Sequence, residues 1–388
     1  MSKAVGEFTA YWPEGLERSV PIPYEFLFNI VSETLKTRRV WVKSSQRSLG
    51  PDELSNLASQ IASFISTHGY TTVACLCSDS LNMVTTVIGS LLSGARVYID
   101  EQDSPALASR LNAVSPDIII TDGDIILGTN TKIIRFEESF SARKMEEFEP
   151  EIPYASFSDP VLMLPSGDDV VQHTHTSLLA MVVSFDKFFG EVLGSTTIVF
   201  GRLSRWHGVL GLLGAMLGGG PLVIGPIDPG AIDNSYLLTD AAGLYQLSPK
   251  LASKLRYVIV AFDEYTKVSL RKLYGLGKKL GVVIIPLLGC QESGPLIAPH
   301  PTWIPPHSLG IPLVNVTPVP IDPESGRLLK IPWQFLEMAE LGVDTPSNML
   351  GYISEEKTSS TVIDGVVRTG YVVTSDANGL FSLRYILK

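Results

Sequence analysis

Ser166, Gly167, Asp168 and Asp169 stand where an apolar run over residues 161–164 breaks at Pro165, with His173 and His175 just beyond. From residue 176 the pattern turns helical, with Leu178, Met181, Val182, Phe185 and Phe189 on one face. The spacing predicts a strand, a tight turn and a helix. At the carboxyl end of such a strand, the first amides of the helix face a crevice and favour an anion. Asp168 and Asp169 oppose that preference, because two carboxylates in a weakly screened pocket repel a polyanion. His173 and His175 lie two residues apart with no third ligand in sight, which does not make a zinc site.

The elements that must position these residues are legible on both sides. Gly50-Pro51-Asp52-Glu53 opens a helix with proline first and acids in its first turn. Leu54, Leu57, Ile61, Phe64 and Ile65 form the apolar stripe of that helix, and Gly69 closes it. Strands over 72–77, 95–99 and 117–121 then alternate with helices over 81–92 and after Ser104-Pro105, the rhythm of a parallel sheet covered on both faces. Before them, residues 24–35 read as a helix and 40–42 as a short strand. After them come a strand over 132–136 and an acidic stretch, 146–151, that reads as a solvated connection. Strands over 197–200, 257–261 and 282–286 continue the α/β texture. From Pro301 short strands with Pro/Gly turns take over, around 313–319, 361–369 and 371–374.

The fold class is therefore α/β: two doubly wound, mostly parallel sheets with flanking helices and a small C-terminal antiparallel β-barrel. The division is 1–195, 196–300 and 301–388, since 388 residues suit two or three subdomains. Charged residues are only 18% and hydrophobic ones 45%, the composition of a chain with large buried surfaces. A net charge of −10 without a basic run argues against nucleic acid as a partner. Cys75 and Cys77 share one face of an apolar strand and Cys290 stands alone, which fits buried thiols in a reduced, cytoplasmic setting. No signal peptide is visible in residues 1–14. Residues 208–227 carry no charge over membrane length, but Gly218-Gly219-Gly220-Pro221 interrupts them and favours a buried helix, turn and strand over a span. No G-x-G-x-x-G follows an early strand, which disfavours a dinucleotide enzyme.

Several landmarks in order resemble the acyl-adenylate-forming superfamily of acyl-CoA synthetases, luciferases and peptide-synthetase adenylation domains, over roughly residues 20–388. Ser166-Gly167 and His173-Thr174-His175 resemble its phosphate loop, and Leu92 to Asp100 its "K-A-G-A-Y-V-P-I-D" landmark. Leu288-Gly289-Cys290-Gln291-Glu292 resembles its "Y-G-x-T-E" motif, and Arg368-Thr369-Gly370-Tyr371 its "T-G-D". The resemblance implies ATP or AMP and magnesium as cofactors and a small carboxylic acid or acyl ligand. It places nucleotide at Ser166, Gly167, Asp168, Gly289, Cys290, Gln291 and Tyr371, and magnesium at Glu292, a hard oxygen ligand that reads otherwise as an ordinary polar residue. Trp206 and His207 fall where the family lines its acyl pocket, though a lone histidine at a helix start is also a common structural residue. Phe262 either fills the adenine slot or packs as core.

Departures from the pattern bear on activity. The phosphate loop is several residues short and lacks its lysine, Tyr371 replaces the ribose-binding aspartate, and the smaller domain carrying the adenylation lysine is not in this sequence. Losing one such charge-stabilising group can cost roughly a hundredfold in rate. Two expectations follow: a non-catalytic or weakly active relative that keeps a ligand crevice and acts through a protein partner, or a working half-enzyme completed by a separate domain.

Overall fold

The computed structural model describes residues 11–37, 39–125, 131–140, 156–190, 192–225, 235–263, 269–303, 305 and 308–387. Most of the 1–14 segment, the acidic stretch 146–151, the end of 208–227, Glu264 and Lys388 lie outside them.

Two large sheets share one core. The first is seven-stranded, in the order Gly351–Tyr352, Asp169–Thr174, Pro160–Ser166, Arg96–Ile99, Thr72–Cys75, Ile118–Thr121, Lys132–Arg135. Its five strands from Pro160–Ser166 onward are parallel. The second has nine strands: Ile311–Pro312, Gly294–Ala298, Ile284–Cys290, Leu255–Phe262, Ser235–Thr239, Thr197–Phe200, Leu222–Ile224, Val42–Lys43 and Ser48–Leu49. Six consecutive strands of it, from Ile284–Cys290 to Val42–Lys43, are parallel. A third, wholly antiparallel sheet joins Thr317–Ile321, Ala339–Asp344 and Val366–Ser375, with Val362–Ile363 and Phe381–Ile386 both on the last. Each large sheet borrows strands from a distant part of the chain. Val42–Lys43 joins the second sheet, and Gly351–Tyr352 joins the first.

The helix Pro51–His68 starts and stops as its residues dictate, with proline leading and Gly69 left-handed at φ 65°. Leu54, Leu57, Ile61 and Ile65 are buried along it. The next helix, Ser80–Leu92, is capped by the Asp79 carboxylate accepting from two amides and is buried nearly all round. Gly89 permits this, because a Cβ there would sit 2.6 Å from Ile61. The uncharged run forms the buried helix Trp206–Gly218, a left-handed turn at Gly219, and the strand Leu222–Ile224. No helix among the described residues is long and apolar enough to cross a membrane. Cys75, Cys77 and Cys290 are free and buried.

The centre of the chain differs from the strand, turn and helix that the spacing predicts. The strand runs through Pro165 to Ser166, reverses at Gly167-Asp168, and returns as a second strand, Asp169–Thr174, paired antiparallel with the first. Gly167 takes φ +63°, the positive angle that a two-residue hairpin asks of its first turn residue. The helix begins only at His175, capped by Thr174 and Ser177 in reciprocal hydrogen bonds. Val170 and Val171 favour the extended state, and six residues at about 3.3 Å each carry the helix start roughly 20 Å from the turn. The first helical amides therefore do not face Ser166 and Gly167, and the anion-favouring geometry read from the sequence does not form there.

Candidate functional site

A cavity of about 800 Å³ opens where the three sheets meet. The first sheet contributes the hairpin turn, Ser166 and Gly167; the second contributes Cys290, Gln291 and Glu292. The antiparallel sheet contributes Glu340 and the run Arg368 to Tyr371, and the short helix Glu355–Thr361 adds Lys357, Ser360 and Thr361. Arg205, Trp206, Asp263 and Tyr352 complete the polar and aromatic wall. Of the residues singled out from sequence, Ser166, Gly167, Cys290, Gln291, Glu292, Tyr371 and Trp206 lie on this wall. Asp168 projects from the turn into solvent, 91% exposed, while Gly289, His207 and Phe262 sit behind the wall.

The expected ligand-facing groups are engaged with the protein itself. The Gln291 amide donates to the carbonyls of Pro165 (2.8 Å) and Ser204 (3.0 Å), and its Oε1 accepts from the Trp206 amide at 2.6 Å. One side chain thus bolts the first sheet to the start of the Trp206 helix. Glu292 Oε1 accepts from both the Ser166 hydroxyl (2.8 Å) and the Tyr352 hydroxyl (2.6 Å). Burial, reinforced by the Glu292 charge, raises the Tyr352 phenol above its ordinary value and keeps it a donor. The Tyr371 hydroxyl is buried and donates to the Gly289 carbonyl at 2.9 Å. Gly289 is glycine for the sake of Trp206: a Cβ would stand 2.6 Å from the indole and from the Gly294 carbonyl. Burial pushes the Cys290 thiol well up, leaving it protonated.

Two cations hold the hairpin turn by its carbonyls. Arg110, buried with Asp100 in an ion pair at 2.7 Å, donates from Nη1 to the Gly167 carbonyl at 2.5 Å. It also bonds Tyr98 and Ser104, so the turn is anchored to a buried network on the neighbouring strand. Lys357 donates to the Ser166 carbonyl at 3.2 Å, lies 3.9 Å from Asp168 Oδ1, and sits 4.2 Å above the Tyr352 ring. On the far wall Arg368 grips Glu340 through Nε and Nη2, and the same carboxylate accepts from the Gly370 amide.

Three histidines, His173, His175 and His207, are buried in three different settings. His173 Nε2 lies 2.7 Å from the Gln291 carbonyl, which can only accept, so that nitrogen carries the proton and Nδ1 faces Ser177. Burial lowers its basicity. His175 Nδ1 accepts from the Leu27 amide at 3.1 Å, and burial lowers its pKa to about 4. His207 is buried with both ring nitrogens unpartnered, as is the Trp206 indole nitrogen, and burial brings its pKa to about 4. Among the described residues no group of three or more His, Cys, Asp or Glu is arranged to hold a metal.

Sequence reasoning missed Lys357, Arg110, Glu340 and Tyr352 as members of this site. Ser354-Glu355-Glu356 signals a helix start, with Ser354 capping the Lys357 amide. Nothing along the chain says that this helix packs over a turn 190 residues earlier.

No family model and no curated protein sequence matches the chain. Solved structures do. A nonribosomal peptide synthetase is 18% identical with a TM-score of 0.79; the match covers 97% of this chain but 44% of that one, so this chain spans under half of its length. The same synthetase is also known with AMPPNP bound. The o-succinylbenzoate coenzyme A synthetase of Bacillus subtilis, in complex with AMP, is 16% identical with a TM-score of 0.77, covering 92% of this chain and 78% of that one. A luciferase-like enzyme of the nonluminescent mealworm Zophobas morio is 18% identical with a TM-score of 0.77, covering 96% and 99%. The two doubly wound sheets with the antiparallel sheet beside them are thus the fold shared with that peptide synthetase, that coenzyme A synthetase and that luciferase-like enzyme.

Proposed function

We propose that this chain is an AMP-dependent synthetase/ligase-like protein that keeps the ligand crevice of its fold and is non-catalytic or weakly active in carboxylate adenylation. The observation that carries this is the engagement of Ser166, Gln291 and Tyr371 with protein partners. A triphosphate needs donors and positive charge aimed at its oxygens, and here the turn presents carbonyls already held by Arg110 and Lys357. The residues present do not fit a triphosphate. Glu292 faces the cavity, but two hydroxyls already occupy one carboxylate oxygen and no metal-holding group of three or more His, Cys, Asp or Glu is found among the described residues, so it makes at most a partial magnesium site. On this reading the crevice serves a small acyl or carboxylate ligand, and the chain acts through a protein partner.

Pyrophosphate exchange with MgATP across a panel of acids tests this reading. Exchange at the background rate, with and without an added adenylation-type C-terminal domain, is the expected outcome. Exchange that rises on adding that domain favours the second reading, a half-enzyme whose Glu292 carries magnesium, and Glu292→Ala should then abolish it.

A further inference from the structure

We infer that Lys357 is the anion-binding cation of this cavity, and that the ligand it takes carries a single oxyanion group, a carboxylate or a phosphate monoester, rather than a polyphosphate. This rests on the reading that the hairpin turn does not itself cradle phosphate.

Lys357 stands on the cavity wall, its side chain one-third exposed, with its charge compensated by soft partners. These are a carbonyl dipole at 3.2 Å, an aromatic face at 4.2 Å, and a carboxylate at 3.9 Å. That carboxylate, Asp168, is 91% exposed, and an ion pair of this length at the surface is worth little. A direct N–H to oxyanion contact, formed on the shielded side of the cavity, is stronger than any of the three. Asp168 is then a competitor: it sits at the mouth and holds Lys357 in the ligand's absence.

The charge on the wall sets the valence of the ligand. Arg205, Lys357 and Arg368 face Asp263, Glu292 and Glu340, three of each sign, and Arg368 is held bidentately by Glu340. A wall without net positive charge does not attract a polyphosphate, whereas one oxyanion at Lys357 takes the place of the Asp168 carboxylate and leaves the charge beside the ammonium unchanged. Tyr352, Ile386 and Leu387 supply apolar surface for the remainder of the ligand, with the buried Trp206 and Tyr371 packed behind it. A carboxylate and a phosphate monoester share this head-group chemistry, and the choice of probe separates them.

The experiment is calorimetric titration of the full chain with octanoate, AMP and MgATP, repeated on Lys357→Met, Lys357→Arg and Asp168→Asn. Octanoate or AMP should bind more tightly than MgATP. Lys357→Met should weaken the better of the two about tenfold, the equivalent of about 1.4 kcal/mol, while Lys357→Arg retains binding. Asp168→Asn should tighten it severalfold, and should have no effect in the Lys357→Met background. Asp168 is exposed, so that variant folds whatever becomes of the ligand. Equal affinity in wild type and Lys357→Met, preference for MgATP, or no binding of octanoate and AMP up to 10 mM (roughly 3 kcal/mol of affinity or less) overturns the inference. These outcomes are independent of pyrophosphate exchange, which decides the proposed function alone.

Discussion

The two sides of Trp206 treat polar groups in opposite ways. On the cavity side its amide is held by Gln291, whose other two bonds tie down Pro165 and Ser204, so each polar atom of that side chain has a protein partner. On the inner side the indole nitrogen and both nitrogens of His207 are buried without one. A neutral imidazole always carries one N–H and one lone pair, so the inner side bears a desolvation cost that the cavity side avoids. A Cβ on Gly201 would lie 3.2 Å from both His207 Nε2 and Asp240 Oδ2, so the glycine keeps polar space open beside the ring. The difference teaches where this fold is braced. The wall expected to meet phosphate is a strut, and the polar groups left over lie behind it.

The contrast can be broken from the braced side first. Arg110→Met removes one member of a buried ion pair and releases the Gly167 carbonyl, and should cost about 3–5 kcal/mol in denaturant unfolding. A loss below 1 kcal/mol would show that the hairpin holds its shape unaided. Gln291→Leu orphans one amide and two carbonyls and should cost about 3 kcal/mol, with the melting temperature lowered accordingly.

His207 sharpens the comparison through pH. Its folded pKa of about 4 lies below the ordinary 6.5, so the unfolded chain takes the proton first. Its contribution is complete above pH 6.5 and is lost as pH falls towards 4, because burial disfavours the imidazolium more than the neighbouring Asp240 carboxylate favours it. His207→Leu should remove its share of the acid loss, leaving the share of His175 and His173, and should keep stability at pH 7.5 within about 1 kcal/mol of wild type, since it removes unpartnered nitrogens. A steep loss at pH 7.5 instead would mean that solvent or ligand satisfies the ring. The smallest effect is expected at Tyr371→Phe, which deletes one bond to Gly289 and should cost about 1 kcal/mol in the same unfolding assay.

The helix from Pro51, the alternation of strands and helices through residue 121, and the buried run around Leu212 were legible because each rests on local periodicity and capping. The landmarks Ser166-Gly167, Gln291-Glu292 and Tyr371 were legible as a set that converges, and the cavity wall holds all five. Their partners were not legible. The central hairpin read as a turn into a helix because Val170 and Val171 continue an apolar pattern that periodicity alone does not assign to strand or helix. The short loop has no lysine in its local sequence, yet Lys357 reaches its Ser166 carbonyl from the far end of the chain.

By itself, the sequence determined the alternating α/β layers, the helix ends set by proline and glycine, and the identity of the residues at strand ends, because these follow from interactions within a few positions of each other. Tertiary structure alone decided that Gln291 is a strut, that Tyr371 donates to a backbone carbonyl, and that Arg110 and Lys357 grip one turn. The two partners of each such bond stand 57 to 191 residues apart, and only the packing of three sheets brings them within reach.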